Sequence, residues 1–290
     1  MENRSSLAWQ SRLVLLLTLP AIGADLVLEV HWWAVNMVQV MAWVMALSAL
    51  LGLAAWTSGA ATRHAVAAGV AIALSIGFST TVYPYTPWRS GLTPLALTIL
   101  LTSVATRVRR IHKVKEGRAE SAHGRNAVQV AANLGVAALA FSGAAQSLLI
   151  NGQWIQPGNA VPGMVIGLAA LAEAAGDTVS SEIGRAVGGP TRLLTTMRRV
   201  EPGTDGGFSL VGSVAGMAAA ALVALAGVLL LSGGMRGFYI ACGGGIVGFF
   251  FDSLLGATLE RRGWLNNDLV NFLSTLCAAL VALGLLVMAG

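Results

Sequence analysis

Two carboxylates four residues apart, Glu173 and Asp177, head the residues of this chain that could do chemistry. On a helix that spacing puts both on one face, and Ser180 and Ser181 continue the face one turn on. Two acids so placed repel when both are ionised, so they require a shared proton, a basic partner or a divalent cation. Arg125 or Arg185 would make them a structural ion pair. Hard carboxylate oxygens equally suit magnesium, which keeps several waters and is shared with substrate phosphates. A second string, Gly203-Thr204-Asp205-Gly206-Gly207, has the composition of a turn whose backbone N–H groups face one point and cradle an anion. A plain capped turn is the other reading of it. The helix expected from about Phe208 would add its positive end. Asp252 lies between IVGFFF and LLGATL, where an acid is costly unless it faces the bundle interior. Asn267, Asp268 and Asn271 open the last apolar run. Asp268 is either a first-turn cap or a ligand, and the two asparagines could instead bond helix to helix. Arg125 and Asn126, with Lys113 and Lys115 nearby, supply positive charge and donors.

The elements that must position these residues are membrane helices. The chain has 290 residues, of which 56% are apolar and only 11% charged, well below the charge content of an ordinary soluble domain. Runs long enough to cross roughly 30 Å of hydrocarbon recur about nine times. The spans predicted are 13–30, 36–57, 64–82, 91–106, 127–150, 160–182, 208–231, 237–258 and 267–289. The fold class expected is therefore an all-α polytopic bundle, a single membrane domain over 1–290 with N-terminal helices (13–106) and a motif-bearing core (107–289). The first run could also be read as a cleaved signal, and the two prolines of TVYPYTPW mark a break between the third and fourth.

Basic residues set the orientation expected. With the N-terminus inside and nine crossings, every Lys and Arg except Arg89 and Arg236 falls on the cytoplasmic side. The same assignment gathers the polar strings at that side, whereas Asp25 and Glu29 read as scattered polarity at the other. Trp32, Trp33, Trp88 and Trp264 fit an aromatic belt. Cys242 and Cys277 fall in apolar helices and imply no disulfide or metal site. No HExxH, serine-hydrolase elbow, Walker loop or GxGxxG loop is present, and the arginines beside the spans serve topology rather than nucleic acid.

Taken together, RNAVQVAAN, LAEAAGDTVSSEIG, VEPGTDGGFSLVGSVAG, FDSLLGATLE and NNDLVNFLST resemble the signature of the integral membrane family known as domain of unknown function 92. It is also called the transmembrane protein 19 family and includes the plant chloroplast phytyl-phosphate kinase. The resemblance covers about residues 36–289, tightly from Arg107 onward. It implies phosphoryl transfer from a nucleoside triphosphate, CTP or ATP, to an isoprenoid monophosphate, and a distant kinship with CTP-using polyprenol kinases. Asp205 departs from the Ser expected in a GTSGG-like string, which puts any role copied onto it in doubt.

The function expected is thus a magnesium-dependent prenyl- or polyprenyl-monophosphate kinase at the cytoplasmic face of the cell's inner membrane. Glu173, Asp177 and Asp252 would hold the metal, with Asp268 in reserve. Residues 203–207, Asn126, Asn267 and Asn271 would bind nucleotide or phosphate, and Arg125 with Lys113 would balance charge. The alternative is a lipid or small-molecule transporter or flippase that uses its intramembrane acids as a path. A carrier needs its site near the midplane with access from both sides, and here the polarity gathers at one. Cysteine-accessibility labelling in intact cells tests the orientation. Probes in 107–125 and 183–206 are expected to be shielded and a C-terminal probe exposed, and labelling of both loops from outside would overturn the scheme.

Overall fold

The computed structural model describes residues 7–108, 124–154, 161–231 and 233–289. Its helices are α1 (Ala8–Asn36), α2 (Val38–Thr57), α3 (Arg63–Thr80), α4 (Leu92–Arg107), α5 (Ala127–Phe141), α6 (Gly143–Asn151), α7 (Val161–Val187), α8 (Leu210–Leu230), α9 (Gly234–Leu255) and α10 (Asn267–Ala289). The chain is an all-α bundle. In hydrocarbon each backbone polar group must be satisfied within the protein, which leaves helices as the spanning form of such apolar runs. Seven helices among the described residues are long and apolar enough to cross, and the bent pair α5–α6 makes eight. The fourth expected span, 91–106, corresponds to α4, which has only 16 residues.

The fifth span is not one straight helix as expected. It bends by 53° between α5 and α6. Ser142 makes the break, donating to the Leu139 carbonyl (2.7 Å) while accepting from the Ala145 N–H (3.1 Å). The Gln146 amide donates to the freed carbonyl of Phe141 (2.8 Å). Two residues also depart from their reading, Asp25 as scattered polarity and Trp33 as part of an aromatic belt. Asp25 is buried and accepts from Ser75 (2.9 Å), and Trp33 is buried against Phe78 with its indole on Glu29 (3.1 Å).

The bundle is organised around α7, whose spanning stretch is 94% buried, against half or less for the other six single-helix spans. It touches α4, α5, α8, α9 and α10. Its sequence explains the position. The middle of α7, GLAALAEAAGD, is rich in Gly and Ala, so neighbours approach closely. A Cβ on Gly216 of α8 would lie 2.6 Å from the Gly176 carbonyl, and one on Gly212 would lie 2.6 Å from that of Ser180. On α9, a Cβ at Gly244 would lie 2.8 Å from the Ala278 carbonyl of α10. The glycine strings are packing surfaces.

One end of the bundle carries more structure than a run of loops. A small antiparallel sheet of β1 (Thr191–Leu193), β2 (Arg199–Val200) and β3 (Gly207–Phe208), in the order β2-β1-β3, bridges α7 and α8. Strands this short carry no periodicity that a sequence could display. α9 runs on into a π-helical turn at Gly256–Glu260. The start of α1 is tied to the start of α10: Gln10 donates to the Trp264 carbonyl and accepts from the Asn266 N–H, each at 2.8 Å.

Neighbouring glycines on α9 supply a test of the packing. A Cβ at Gly243 meets nothing within 4 Å. Gly243→Ala should therefore leave thermal stability in detergent unchanged or raise it by up to about 1 kcal/mol of helix propensity. Gly244→Ala should lower it by about 1–3 kcal/mol through overpacking. Equal melting temperatures for the two variants would contradict this helix register.

Candidate functional site

The polar strings meet around one cavity of about 290 Å³ at the sheet-bearing end of the bundle. α7 supplies Asp177, Thr178, Glu182 and Arg185, and α9 supplies Asp252 and Ser253. Arg125 comes from the turn before α5, Asn267 and Asn271 from α10, and residues 203–207 from the turn before β3. Helical spacing explains the first set, since 177, 178, 181, 182 and 185 follow one stripe of α7.

Glu173 lies one turn deeper, 1% exposed, behind the cavity wall. Glycines of α9 make room for it: a Cβ at Gly248 would lie 2.8 Å from the Glu173 Cγ. The charges of Glu173, Asp177 and Asp252 act on one another, and Glu260 acts on Asp252. Glu173 and Asp252 both sit beside the Ser274 hydroxyl, which itself donates to the Asn271 carbonyl (3.0 Å). Glu173 Oε1 and Asp252 Oδ2 are buried with no hydrogen-bond partner among the described residues. A buried polar atom left so is costly, and acceptor oxygens held that way suit a proton or a cation.

Positive groups face these acids. Arg125 donates to the Thr178 hydroxyl (3.3 Å), and Arg185 pairs with Glu182 (3.3 Å) while passing beside Gly203. Arg125 is held by its backbone, which bonds Ala60 (2.9 Å) and Thr62 (3.0 Å) across the turn after α2. Gly124, at φ +79°, has room for no side chain, since a Cβ would lie 2.7 Å from the Gly59 carbonyl.

The glycine turn spends part of its N–H groups on itself. Gly203 and Gly206 do have positive φ, +93° and +70°. Yet the Thr204 N–H is bonded to the Glu201 carbonyl (3.2 Å) and that of Gly207 to the Thr204 carbonyl (2.8 Å). Gly206 leans on the π-helical turn so closely that a Cβ would collide with the Ala257 backbone nitrogen. α8 starts at Leu210 rather than Phe208, with Ser209 capping it through the Gly212 N–H (3.1 Å). Asn126 caps α5 in a reciprocal box with Gln129, both bonds 2.9 Å, and Asn266 caps α10 through the Leu269 N–H (2.9 Å). The starts of α5, α8 and α10 each carry a side-chain cap that takes one of their first N–H groups.

The remaining expected site residues separate. Asp268 is outside the cavity lining and accepts from Ser11 (2.6 Å). Asn126 is engaged as a cap and also stands outside the lining. Lys113 lies outside the described residues. Several contributors have no binding role in the sequence reading: Thr178, Glu260 and the N-terminal helices, which wall one side of the cavity, while Arg185 reads there only as an ion-pair partner and Glu182 only as part of the acidic string. One signal pointed there, since Thr98, Thr102 and Thr106 form an i, i+4 polar row on α4 and the last two line the cavity. Among the described residues no three His, Cys, Asp or Glu side chains gather into a metal cage. Magnesium shared with a phosphate needs only one or two carboxylates, a number that Asp177 and Asp252 meet.

Fold and site together define a polytopic helical membrane protein whose acids, arginines and glycine turn surround one cavity at one end of the bundle. The chain belongs to the family described as Integral membrane protein DUF92, which matches residues 46–279. It is similar to an uncharacterized membrane protein of Methanocaldococcus jannaschii, 40% identical over 39% of this chain and 48% of that one. An uncharacterized membrane protein of Synechocystis is 30% identical over 77% of this chain and 80% of its own length. The chloroplastic protein VTE6 of Arabidopsis thaliana is 29% identical over 75% of this chain. The match spans about half of the archaeal relative and 64% of VTE6. No solved structure matches the chain.

The contact of Gly206 with Ala257 gives the turn a structural test. Gly206→Ala should displace the turn from the π-helical segment and lower thermal stability measurably. Gly203→Ala, whose added Cβ would come no nearer than 3.7 Å to the Arg185 side chain, should cost only about 1 kcal/mol of backbone strain. If Gly206→Ala melts with the wild type, the close contact is wrong.

Proposed function

We propose that this protein is a prenyl- or polyprenyl-monophosphate kinase of the cell's cytoplasmic membrane, using CTP or ATP. The observation that carries the reading is the convergence of Asp177, Asp252, Arg125 and Arg185 on one cavity that is polar at the bundle end and apolar deeper in. The resemblance to a family that includes phytyl-phosphate kinase supports it, as does the similarity to VTE6.

The reaction suits these residues. A non-bridging oxygen of the lipid monophosphate attacks the terminal phosphorus of the nucleotide. The new P–O–P bond forms as the bond to the bridging oxygen breaks, and the nucleoside diphosphate leaves. The acceptor is already anionic, so no strong base is needed, and the protein's work is to align two anions and offset their charge. Arg125 and Arg185 would face the phosphates. Arg125 is positioned by its backbone bonds to Ala60 and Thr62, and Arg185 by Glu182. Asp177 and Asp252 would hold magnesium, with Glu173 behind them. Bound there, the ion would neutralise phosphate charge. Asn267 and Asn271 offer amides to the nucleotide or the head group.

A carrier would place such acids near the midplane with access from both faces, whereas these residues collect at one end. The decisive experiment incubates purified protein with magnesium, each triphosphate and a panel of prenyl monophosphates, and looks for diphosphates. Asp177→Asn should elute and melt like the wild type yet lose at least about 100-fold in turnover, the scale seen when one electrostatic group is removed from an active site. Turnover near that of the wild type would remove Asp177 from the site. Loss of the folded protein would favour a structural ion pair.

A further inference from the structure

The cavity has a second, apolar half. Away from the charged rim it is lined by Gly69 and Ala73 of α3, Leu95 and Ile99 of α4, and Val130 and Leu134 of α5. On α3 the lining runs from Ala65 to Ala73 and on α4 from Arg107 back to Leu95. At 1.5 Å per residue those stretches reach about 12 and 18 Å into the bundle, near half the hydrocarbon thickness.

The shape follows from how α3 and α4 meet. Their far ends are fastened together: the Gly91 N–H donates to the Thr80 hydroxyl (2.7 Å), and a Cβ at Gly77 would lie 3.2 Å from the Leu92 side chain. From that vertex they spread toward the polar end, because α4 packs on α7 and α8 whereas α3 packs on α2 and α5. α4 touches α2 and α3 only sparsely. The two arms therefore form a V closed at its tip, with a seam between α4 and the α2–α3 pair. The V is continuous with the rim that carries Arg125 and Asp177.

We propose that this V holds the tail of a single-chain lipid phosphate, admitted sideways from the bilayer through the α4 seam, with the head group at the charged rim. The occupant follows from continuity: a ligand with an anionic end at the rim and an apolar end in the V fills both halves. The prenyl identity of the tail rests on the kinase reading, whereas the slot itself does not. A tail longer than the V passes back through the seam into lipid, so the slot reads the head-proximal part of the chain. Gly69 is the gauge position. A Cβ there meets only the Val130 side chain, at 3.7 Å, so a larger side chain would project into the void rather than into backbone.

The test compares Gly69→Phe with wild type in two assays. Binding of geranylgeranyl monophosphate without nucleotide should weaken at least tenfold. Phosphoryl transfer to dimethylallyl monophosphate, whose tail is too short to reach position 69, should stay within about twofold. Unchanged affinity for the long-tailed phosphate overturns the slot, as does its failure to bind wild type. Equal competition by two-tailed phosphatidic acid overturns the single-chain assignment. If the long-tailed phosphate binds wild type and is lost from the variant while no diphosphate ever forms, the slot stands and the kinase reading falls. Should Gly69→Phe not fold, wild-type protein and a prenyl phosphate with a diazirine on its tail decide the matter. Adducts within 65–73 or 95–103 support the slot, and adducts confined to the outer faces of α8 and α9 overturn it.

Discussion

Carboxylates cannot be left in hydrocarbon, and this bundle is built to keep three of them out of it. Glu173, Asp177 and Asp252 lie on helices long and apolar enough to cross a membrane, where an unshielded acid costs several kcal/mol. The central placement of α7 meets the constraint for two of them, since its spanning stretch is almost wholly enclosed by protein. That enclosure requires neighbours close enough to exclude lipid. Close approach in turn requires Gly176 against Gly216, Ser180 against Gly212, and Gly244 against Ala278. The glycine content of the chain and its buried acids are thus two sides of one constraint.

The same closeness shapes the site. Gly248 opens the space that Glu173 fills, and Gly206 lets the turn before β3 settle on the π-helical end of α9. Glycine here acts less by turning N–H groups toward an anion than by letting backbones touch. The starts of α5, α8 and α10 each give one first-turn N–H to a cap from Asn126, Ser209 and Asn266. In the kinase reading proposed here, Arg125 and Arg185 would be the main side chains to meet the phosphates, and their placement depends on the turn after α2 and on Glu182.

A helix that is too short also has a consequence. α4 has only 16 residues, and it is joined to α3 at one end while packing on α7 and α8 elsewhere. The divergence leaves the apolar half of the cavity between them. The N-terminal helices are therefore walls of the site, and residues 107–289 alone would leave the cavity open on one side.

Sequence alone determined the class of the molecule. Apolar runs of spanning length and a low charge content leave helices as the only backbone form, because hydrocarbon offers no hydrogen bonds. It also marked Glu173, Asp177, Asp252, Asn267 and Asn271, since ionisable and amide groups in such runs stand out against their surroundings. The tertiary structure alone decided which polar residues meet. Asp268 is drawn to Ser11 by the pairing of α10 with α1, and Asn126 is consumed by a cap. Glu260 reaches the cavity through a π turn that no periodicity announces, whereas Glu182 and Arg185 follow the α7 stripe of Asp177 and needed only the knowledge of which stripe faces the cavity. The break at Ser142, the short strands and the V between α3 and α4 were likewise invisible. Each depends on contacts between segments far apart in the chain, whereas a pattern along the chain reports only local preference and burial.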